Sequence, residues 1–327
     1  MKNYKKLSNL DYLKKVPFKN PKIVGLVTPG GKGGSHYILH KLQGHPNLAA
    51  LEEKVFEQGS EFKNYFRNSW NKVKNELGRQ QLLPKKKMDD NIKCIIMNKP
   101  LLSRLVYHRN FHYNDISLIQ CLRNPIAYYY SWNSGWKNYG KNNYGVEPDE
   151  NMTFHWFERN LLSSLYEFAQ FYDPDKDCVV SVEQFACHTN YALKNLFNHL
   201  NVDVLTNNQL IELHKCVKCN NEDLIIKECE IHADNRIRIE DALYCNSCNS
   251  VQLGPGHYNY IRKEASNFAS WKQKENAEQV YERLASRLGI QFMDYFVDEL
   301  YLYDKDGSDY KSRLENLIDR LYIGSEY

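Results

Sequence analysis

Residues 28 to 36 read Thr28-Pro29-Gly30-Gly31-Lys32-Gly33-Gly34-Ser35-His36, and their chemistry is that of a cradle for an anion. Glycines let backbone N–H groups approach an anion closely, the lysine adds a full positive charge, and the Ser35 hydroxyl adds one more donor. Before the loop, Ile23-Val24-Gly25-Leu26-Val27 has the character of a buried strand; after it, Ser35 to Leu42 places Ile38, Leu39 and Leu42 on one helical face. A helix beginning at the loop adds its positive end. A nucleoside-triphosphate loop would read G-x-x-x-x-G-K-[S/T], with the last hydroxyl on magnesium. Gly25 and Gly30 have that spacing, but Gly31 stands at the lysine position and Gly33 follows Lys32, so the pattern fails twice.

A second anion grip follows a later apolar run. Leu118-Ile119-Gln120-Cys121-Leu122 leads into Arg123-Asn124-Pro125, and Ser131 comes eight residues after Arg123. Pro125 suits the first position of a helix, Arg123 offers a fork of donors at the strand end, and Ser131 lies about two turns on, on the same side. Alone, Arg123 reads equally well as a solvated loop arginine. A third chemistry is metal binding. Cys216 and Cys219 form one C-x₂-C pair, and Cys245 and Cys248 form another. Four thiolates at this spacing close a tetrahedral zinc site with no open position, which makes the zinc structural.

Together the glycine loop and the arginine turn resemble the sulfotransferase family. There a strand runs into [K/R]-S-G-T-[T/S] and a helix with a downstream His-Pro, and a later strand runs into R-[D/N]-P with a serine at the same interval. This chain has Lys32-Gly33-Gly34-Ser35-His36, His45-Pro46, Arg123-Asn124-Pro125 and Ser131, with Gly33 and His36 where the family has hydroxyls. The resemblance implies a P-loop-like fold and transfer of the sulfuryl group of 3′-phosphoadenosine 5′-phosphosulfate (PAPS) to a hydroxyl acceptor, whether carbohydrate, tyrosine or other phenol, or small alcohol. It implies that Gly31, Lys32, Gly33, Gly34, Ser35 and His36 wrap the 5′-phosphosulfate, and that Arg123 and Ser131 hold the 3′-phosphate. Val179 to Phe185 resembles the family's fourth strand with its E-x-[L/F] segment. Ile261-Arg262-Lys263 with Ser270-Trp271-Lys272 resembles its cofactor-covering loop, which implies phosphate contacts from Arg262 and Lys263. The likeness covers roughly residues 22 to 205 and 257 to 290.

Sulfuryl transfer needs an in-line nucleophile, positive charge near the transferred group and a base for the acceptor. The resemblance implies that Lys32 stabilises the leaving group. Residues 45 to 53 resemble the tyrosylprotein-type branch, where a Glu-Glu pair follows His-Pro, and this implies Glu53 as base with Glu52 as the alternate. Cytosolic members use a histidine instead, for which His108 is the candidate. Asn98-Lys99-Pro100 resembles that branch's N-K-[D]-P segment and implies Lys99 as a second electrostatic stabiliser. Each has a plainer reading as well: solvated acids at a helix start, a structural histidine, a turn lysine.

The elements that must position these groups alternate. Apolar runs at residues 23–27, 94–97, 117–122 and 178–182 are separated by helical patterns at 101–107, 126–136, 154–171 and 191–200. This predicts an α/β three-layer sandwich around a central, mostly parallel sheet, with chemistry at the carboxyl ends of the strands. Residues 214 to 256 break the pattern as a small zinc-ribbon-like insertion, and helices return from about 275, so the expectation is a single domain over 1–327. The tyrosines and tryptophans from Tyr128 to Trp136 suit either a pocket lining or packed core. A net charge of +3 over 327 residues gives no footing for nucleic-acid binding. No run approaches the ~20 apolar residues of a membrane span or the shorter core of a signal peptide, so the expected compartment is the cytoplasm. The alternatives to weigh are a small-molecule kinase of related architecture and a zinc-ribbon module binding nucleic acid or protein.

Overall fold

The computed structural model describes residues 21–28, 33–42, 44–51, 90–98, 105–106, 109–110, 116–145, 148–213, 216, 219, 221, 224–233, 236–253, 274–297, 299–304 and 307–323. Its main sheet contains β1 (Lys22–Val27), β2 (Leu48–Leu51), β3 (Cys94–Asn98), β4 (Ile116–Leu122) and β5 (Cys178–Ser181) in the order β2-β3-β1-β4-β5. Every pairing is parallel, as the alternation of strand and helix predicts. Strand β2 is an addition to the predicted set. Its four residues, Leu48-Ala49-Ala50-Leu51, are too short for a period and half alanine, a helix former, so only the pairing with β3 makes them a strand.

The helices are α1 (Ser35–Leu42), α2 (Pro125–Tyr144), α3 (Glu150–Phe171), α4 (Val182–Cys187), α5 (Thr189–Leu200), α6 (Asn207–Glu212), α7 (Ala277–Leu288), α8 (Ile290–Val297) and α9 (Ser308–Ile323), with a 3-10 segment at Glu299–Tyr303. Side chains alternate along each strand and so feed two cores. Ile95, Met97, Leu118 and Leu122 enter one, under α2, α3, α7, α8 and α9. Cys94, Ile96, Ile119 and Cys121 enter the other, under α1, α4, α5 and α6. The aromatic run of α2 belongs to the first core: Tyr128, Tyr129 and Trp132 are at most 3% exposed, which removes the pocket-lining alternative for them.

Local signals set the helix ends. Asn124 caps α2, its side chain accepting from the N–H groups of Ile126 (2.9 Å) and Ala127 (3.3 Å), with Pro125 at the first position and Gly145 closing the far end at φ +65°. Ser181 ends β5 and caps α4 through the Gln184 N–H, so Val182 begins a helix instead of extending the strand.

Within the predicted insertion, β6 (Leu224–Ala233), β7 (Arg236–Cys245) and β8 (Ser250–Leu253) form a separate antiparallel sheet in sequential order. Phe62, Tyr65, Phe66, Trp70, Val73 and Leu77, which recur at helical spacing in the sequence, and the polar residues 1–20 lie outside the described residues.

Candidate active site and metal centre

Strand β1 feeds α1 on one face of the sheet, and its neighbour β4 feeds α2 on the other. Adjacent strands whose connections leave to opposite faces open a crevice at their carboxyl ends, where sheets of this class bind ligands. Val27 lies in register with Gln120, so the glycine loop and the arginine turn leave the sheet side by side. The loop also touches the end of β4: the Cys121 thiol donates to the Gly33 carbonyl at 3.4 Å.

Both described loop glycines are required by their surroundings. Gly34 has φ +96°, and a Cβ there would stand 2.3 Å from Val182 Cγ2. A Cβ on Gly33 would stand 2.9 Å from the Cβ of Thr28, which gives a packing reason for glycine where a sulfotransferase has serine. Ser35 is buried at the start of α1. His36 is exposed, and its Nε2 accepts from the Asn98 side-chain amide at 3.3 Å. Asn98, the last residue of β3, is 1% exposed. The sequence named Asn98 only as the neighbour of Lys99 and gave it no role, since its relation to the loop spans 62 positions.

Arg123 is half-buried on a turn held from two directions. Glu183 Oε1 accepts from the Asn124 N–H at 2.8 Å, and the Asn124 amide donates to the Phe296 carbonyl at 3.1 Å. Glu183 Oε2 accepts from Ser181 Oγ at 3.1 Å and from the Tyr301 hydroxyl. Burial pushes the Glu183 carboxyl above its usual range, against the pull of the Tyr301 and Asn124 hydrogen bonds. Ser131 is half-buried in the second turn of α2. Gly31, Lys32, Glu52, Glu53, Lys99, His108, Arg262 and Lys263 lie outside the described residues. In the chain, Glu52 and Glu53 directly follow β2, and Lys99 directly follows β3.

Two other charged or ionisable features are structural. His45 is fully buried, its Nδ1 accepting from the Asn47 N–H at 3.1 Å and its Nε2 donating to the Asp203 carbonyl at 2.8 Å. The neighbouring Asn47 carbonyl accepts from Lys93 and Cys94 N–H groups, so the His-Pro segment fixes the start of β3. Arg109 and Asp177 form a buried pair at 2.7 Å, with Asp177 also accepting from the Leu118 N–H at 2.7 Å, near the amino end of β4. Arg109 further donates to the Phe171 carbonyl, so every partner of this pair is architectural.

The four cysteines of the insertion meet. Their Sγ atoms all lie within 4.8 Å of one another. Cys216 and Cys248 sulfurs are 3.4 Å apart, and those of Cys219 and Cys245 are 3.6 Å apart. A zinc ion with bonds of ~2.3 Å to four tetrahedral sulfurs spaces them about 3.8 Å apart, so the set fits zinc. The Cys219 N–H points to Cys216 Sγ at 3.4 Å, as expected for a thiolate acceptor. Cys245 ends β7, and Cys248 sits in the turn before β8, so hairpin geometry supplies the second pair.

No family model and no curated protein matches the chain. Among solved structures it is similar to mouse sulfotransferase SULT7A1 complexed with PAP, at 13% identity and TM-score 0.45, over 88% of this chain and 89% of that one. It is also similar to the sulfotransferase domain from the curacin biosynthetic pathway, at 12% identity and TM-score 0.42, over 81% of this chain and 98% of that one. A sulfotransferase from Alicyclobacillus acidocaldarius is similar at 12% identity and TM-score 0.39, over 57% of this chain and 83% of that one. Likenesses of this degree go no further than outline, and the chemistry has to come from the chain's own residues.

Proposed function

We propose that the chain is a PAPS-dependent sulfotransferase acting on a hydroxyl acceptor. The observation that carries this reading is the adjacency of the two anion-binding segments, with the Gly33 carbonyl in contact with Cys121 at the end of the strand that leads into Arg123. A ligand carrying anionic groups at two places suits such a crevice better than a ligand with a single triphosphate.

In this reading the loop from Gly31 to His36 wraps the 5′-phosphosulfate, and Arg123 and Ser131 hold the 3′-phosphate, with Arg262 and Lys263 as further phosphate contacts. The acceptor oxygen forms a bond to sulfur as the bond from sulfur to the bridging phosphate oxygen breaks. Glu53, or Glu52 or His108 in its place, takes the acceptor's proton, and Lys32 and Lys99 offset charge on the bridging oxygen and the transferred group. The leaving group is 3′-phosphoadenosine 5′-phosphate. A structural zinc ion held by Cys216, Cys219, Cys245 and Cys248 completes the ribbon, which we place as an insertion over residues 214–256 in one sulfotransferase domain. We place the protein in the cytoplasm, and no helix among the described residues is long and apolar enough to cross a membrane.

Thermal-shift titration with 3′-phosphoadenosine 5′-phosphate, ATP and single-stranded nucleic acid tests the class. Stabilisation by the first is expected, and lost in Lys32→Ala and Arg123→Ala; stabilisation by ATP alone would sink the reading. Labelled PAPS incubated with sugars, phenols, peptides and small alcohols then identifies the acceptor.

A further inference from the structure

The first turn of α4 touches both segments that the sulfotransferase reading assigns to anions. Val182 lies so close to Gly34 that a Cβ there would stand 2.3 Å from Val182 Cγ2. Its neighbour Glu183 is buried and reaches the other segment, Oε1 accepting from the Asn124 N–H at 2.8 Å. Two residues on, the Phe185 carbonyl accepts from the Tyr37 hydroxyl of α1 at 3.2 Å. A helix of six residues thus joins the element that starts at the glycine loop to the turn that carries Arg123.

The Asn124 N–H needs an outside acceptor. The N–H of a helix N-cap has no partner within its own helix, and a capping box supplies one from a Glu at the third helical position. In α2 that position is Ala127, so Glu183 does the same work from another helix, 59 positions away. Its second oxygen is equally engaged. Ser181 Oγ accepts from the Gln184 N–H at 3.2 Å and shares its own proton between the Tyr301 oxygen at 2.8 Å and Glu183 Oε2 at 3.1 Å, while Tyr301 donates to Oε2. Every group around the carboxylate can act as a donor, which suits the ionised form and its charge-assisted hydrogen bonds.

We propose that Glu183 is a positioning residue that acts through the Asn124 N–H to fix the Arg123 turn against the glycine loop, and so sets the preference of the site for a nucleotide with a 3′-phosphate. This rests on the sulfotransferase reading, in which the turn holds the 3′-phosphate and the loop holds the 5′ group.

Isothermal titration of the full chain with 3′-phosphoadenosine 5′-phosphate and with adenosine 5′-phosphate measures the preference. The wild type is expected to favour the first by at least about tenfold, the size of one hydrogen bond to a charged group. Glu183→Ala is expected to lose most of that preference while binding adenosine 5′-phosphate as before. Equal losses for the two nucleotides, or an unchanged preference, overturn the proposal. Hydrogen exchange gives a second readout. In the variant the Asn124 amide should exchange faster relative to the Leu118 amide, whose N–H is held by Asp177 at 2.7 Å; a rise shared equally by both also overturns it. Should Glu183→Ala not fold, the near-isosteric Glu183→Gln decides by the same two measurements. It keeps an acceptor but loses the charge assistance, so smaller shifts in the same direction are expected, and no shift in either overturns the proposal. A wild type that does not prefer the 3′-phosphorylated nucleotide defeats the sulfotransferase reading instead, while exchange at Asn124 still tests the hold of Glu183 on the turn.

Discussion

The thiol of Cys121, the next-to-last residue of β4, donates to the carbonyl of Gly33 in the glycine loop at 3.4 Å. The thiol is fully buried, and that burial pushes its ionisation well above the ordinary cysteine range, so it remains a neutral donor. Cys121→Ala removes both the packing and the hydrogen bond. It should cost about 1–3 kcal/mol of stability and weaken nucleotide binding several-fold. Chemical denaturation with isothermal titration separates the two effects, and unchanged affinity would mean the loop is held by other contacts.

Gly34 tests the loop's shape. Alanine there has to adopt φ +96° and push its Cβ against Val182. The backbone strain alone amounts to about 1–3 kcal/mol. Gly34→Ala should lower the unfolding temperature and abolish measurable nucleotide binding. Adding Val182→Ala should recover part of the stability, because the clash is removed while the strain remains.

The buried Arg109–Asp177 pair should behave differently from Arg123. Removing one partner of a buried pair leaves an uncompensated charge and costs about 3–5 kcal/mol. Arg109→Met should therefore reduce stability strongly while leaving the nucleotide affinity of the folded fraction intact. Arg123→Ala should show the opposite pattern. Parallel melting and binding measurements on both variants distinguish architecture from ligand contact.

The cysteine cluster predicts a single zinc ion per chain, measurable by elemental analysis of protein purified without added metal. Removing it with a chelator should unfold the β6–β8 sheet, seen as lost protection of its amides in hydrogen exchange. Cys245→Ser should reproduce the chelator's effect. Retention of full protection after metal removal would count against zinc as a structural element.

His199 predicts a pH dependence. Burial lowers its pKa from 6.5 to about 4, so the folded state favours the neutral ring. Stability is complete above the unfolded value near 6.5 and falls as pH drops toward 4, because the unfolded chain takes up the proton first. After discounting for partial exposure, the loss is about 2 kcal/mol. His199→Gln should flatten the difference between melts at pH 7.5 and pH 4.5.

Much of the fold was legible because it is written locally. Buried strands such as Ile116–Leu122 are short apolar runs, and the two C-x₂-C pairs announce a metal site by spacing alone. The glycine loop and the Arg123 turn are also placed at strand ends by the apolar runs that precede them. What stayed hidden depends on distant partners. Leu48–Leu51 becomes a strand only by pairing with β3, and nothing near Asn98 in the chain indicates that His36 will reach it. Glu183 resembled part of a family segment, yet its grip on Asn124 spans 59 positions. His45 looked like a marker of the catalytic region; its two hydrogen bonds instead make it a spacer between α1 and β2.

The two segments that we propose grip anions spring from neighbouring strands whose side chains divide between separate cores. Repacking either core can tilt a helix, but it cannot change the backbone hydrogen bonds that join β1 to β4. The sheet thus acts as a ruler. Any ligand that engages both grips is measured against a strand spacing of about 4.8 Å. On the proposed reading, the acceptor side can vary while the sheet keeps the separation of the two anion-binding segments fixed.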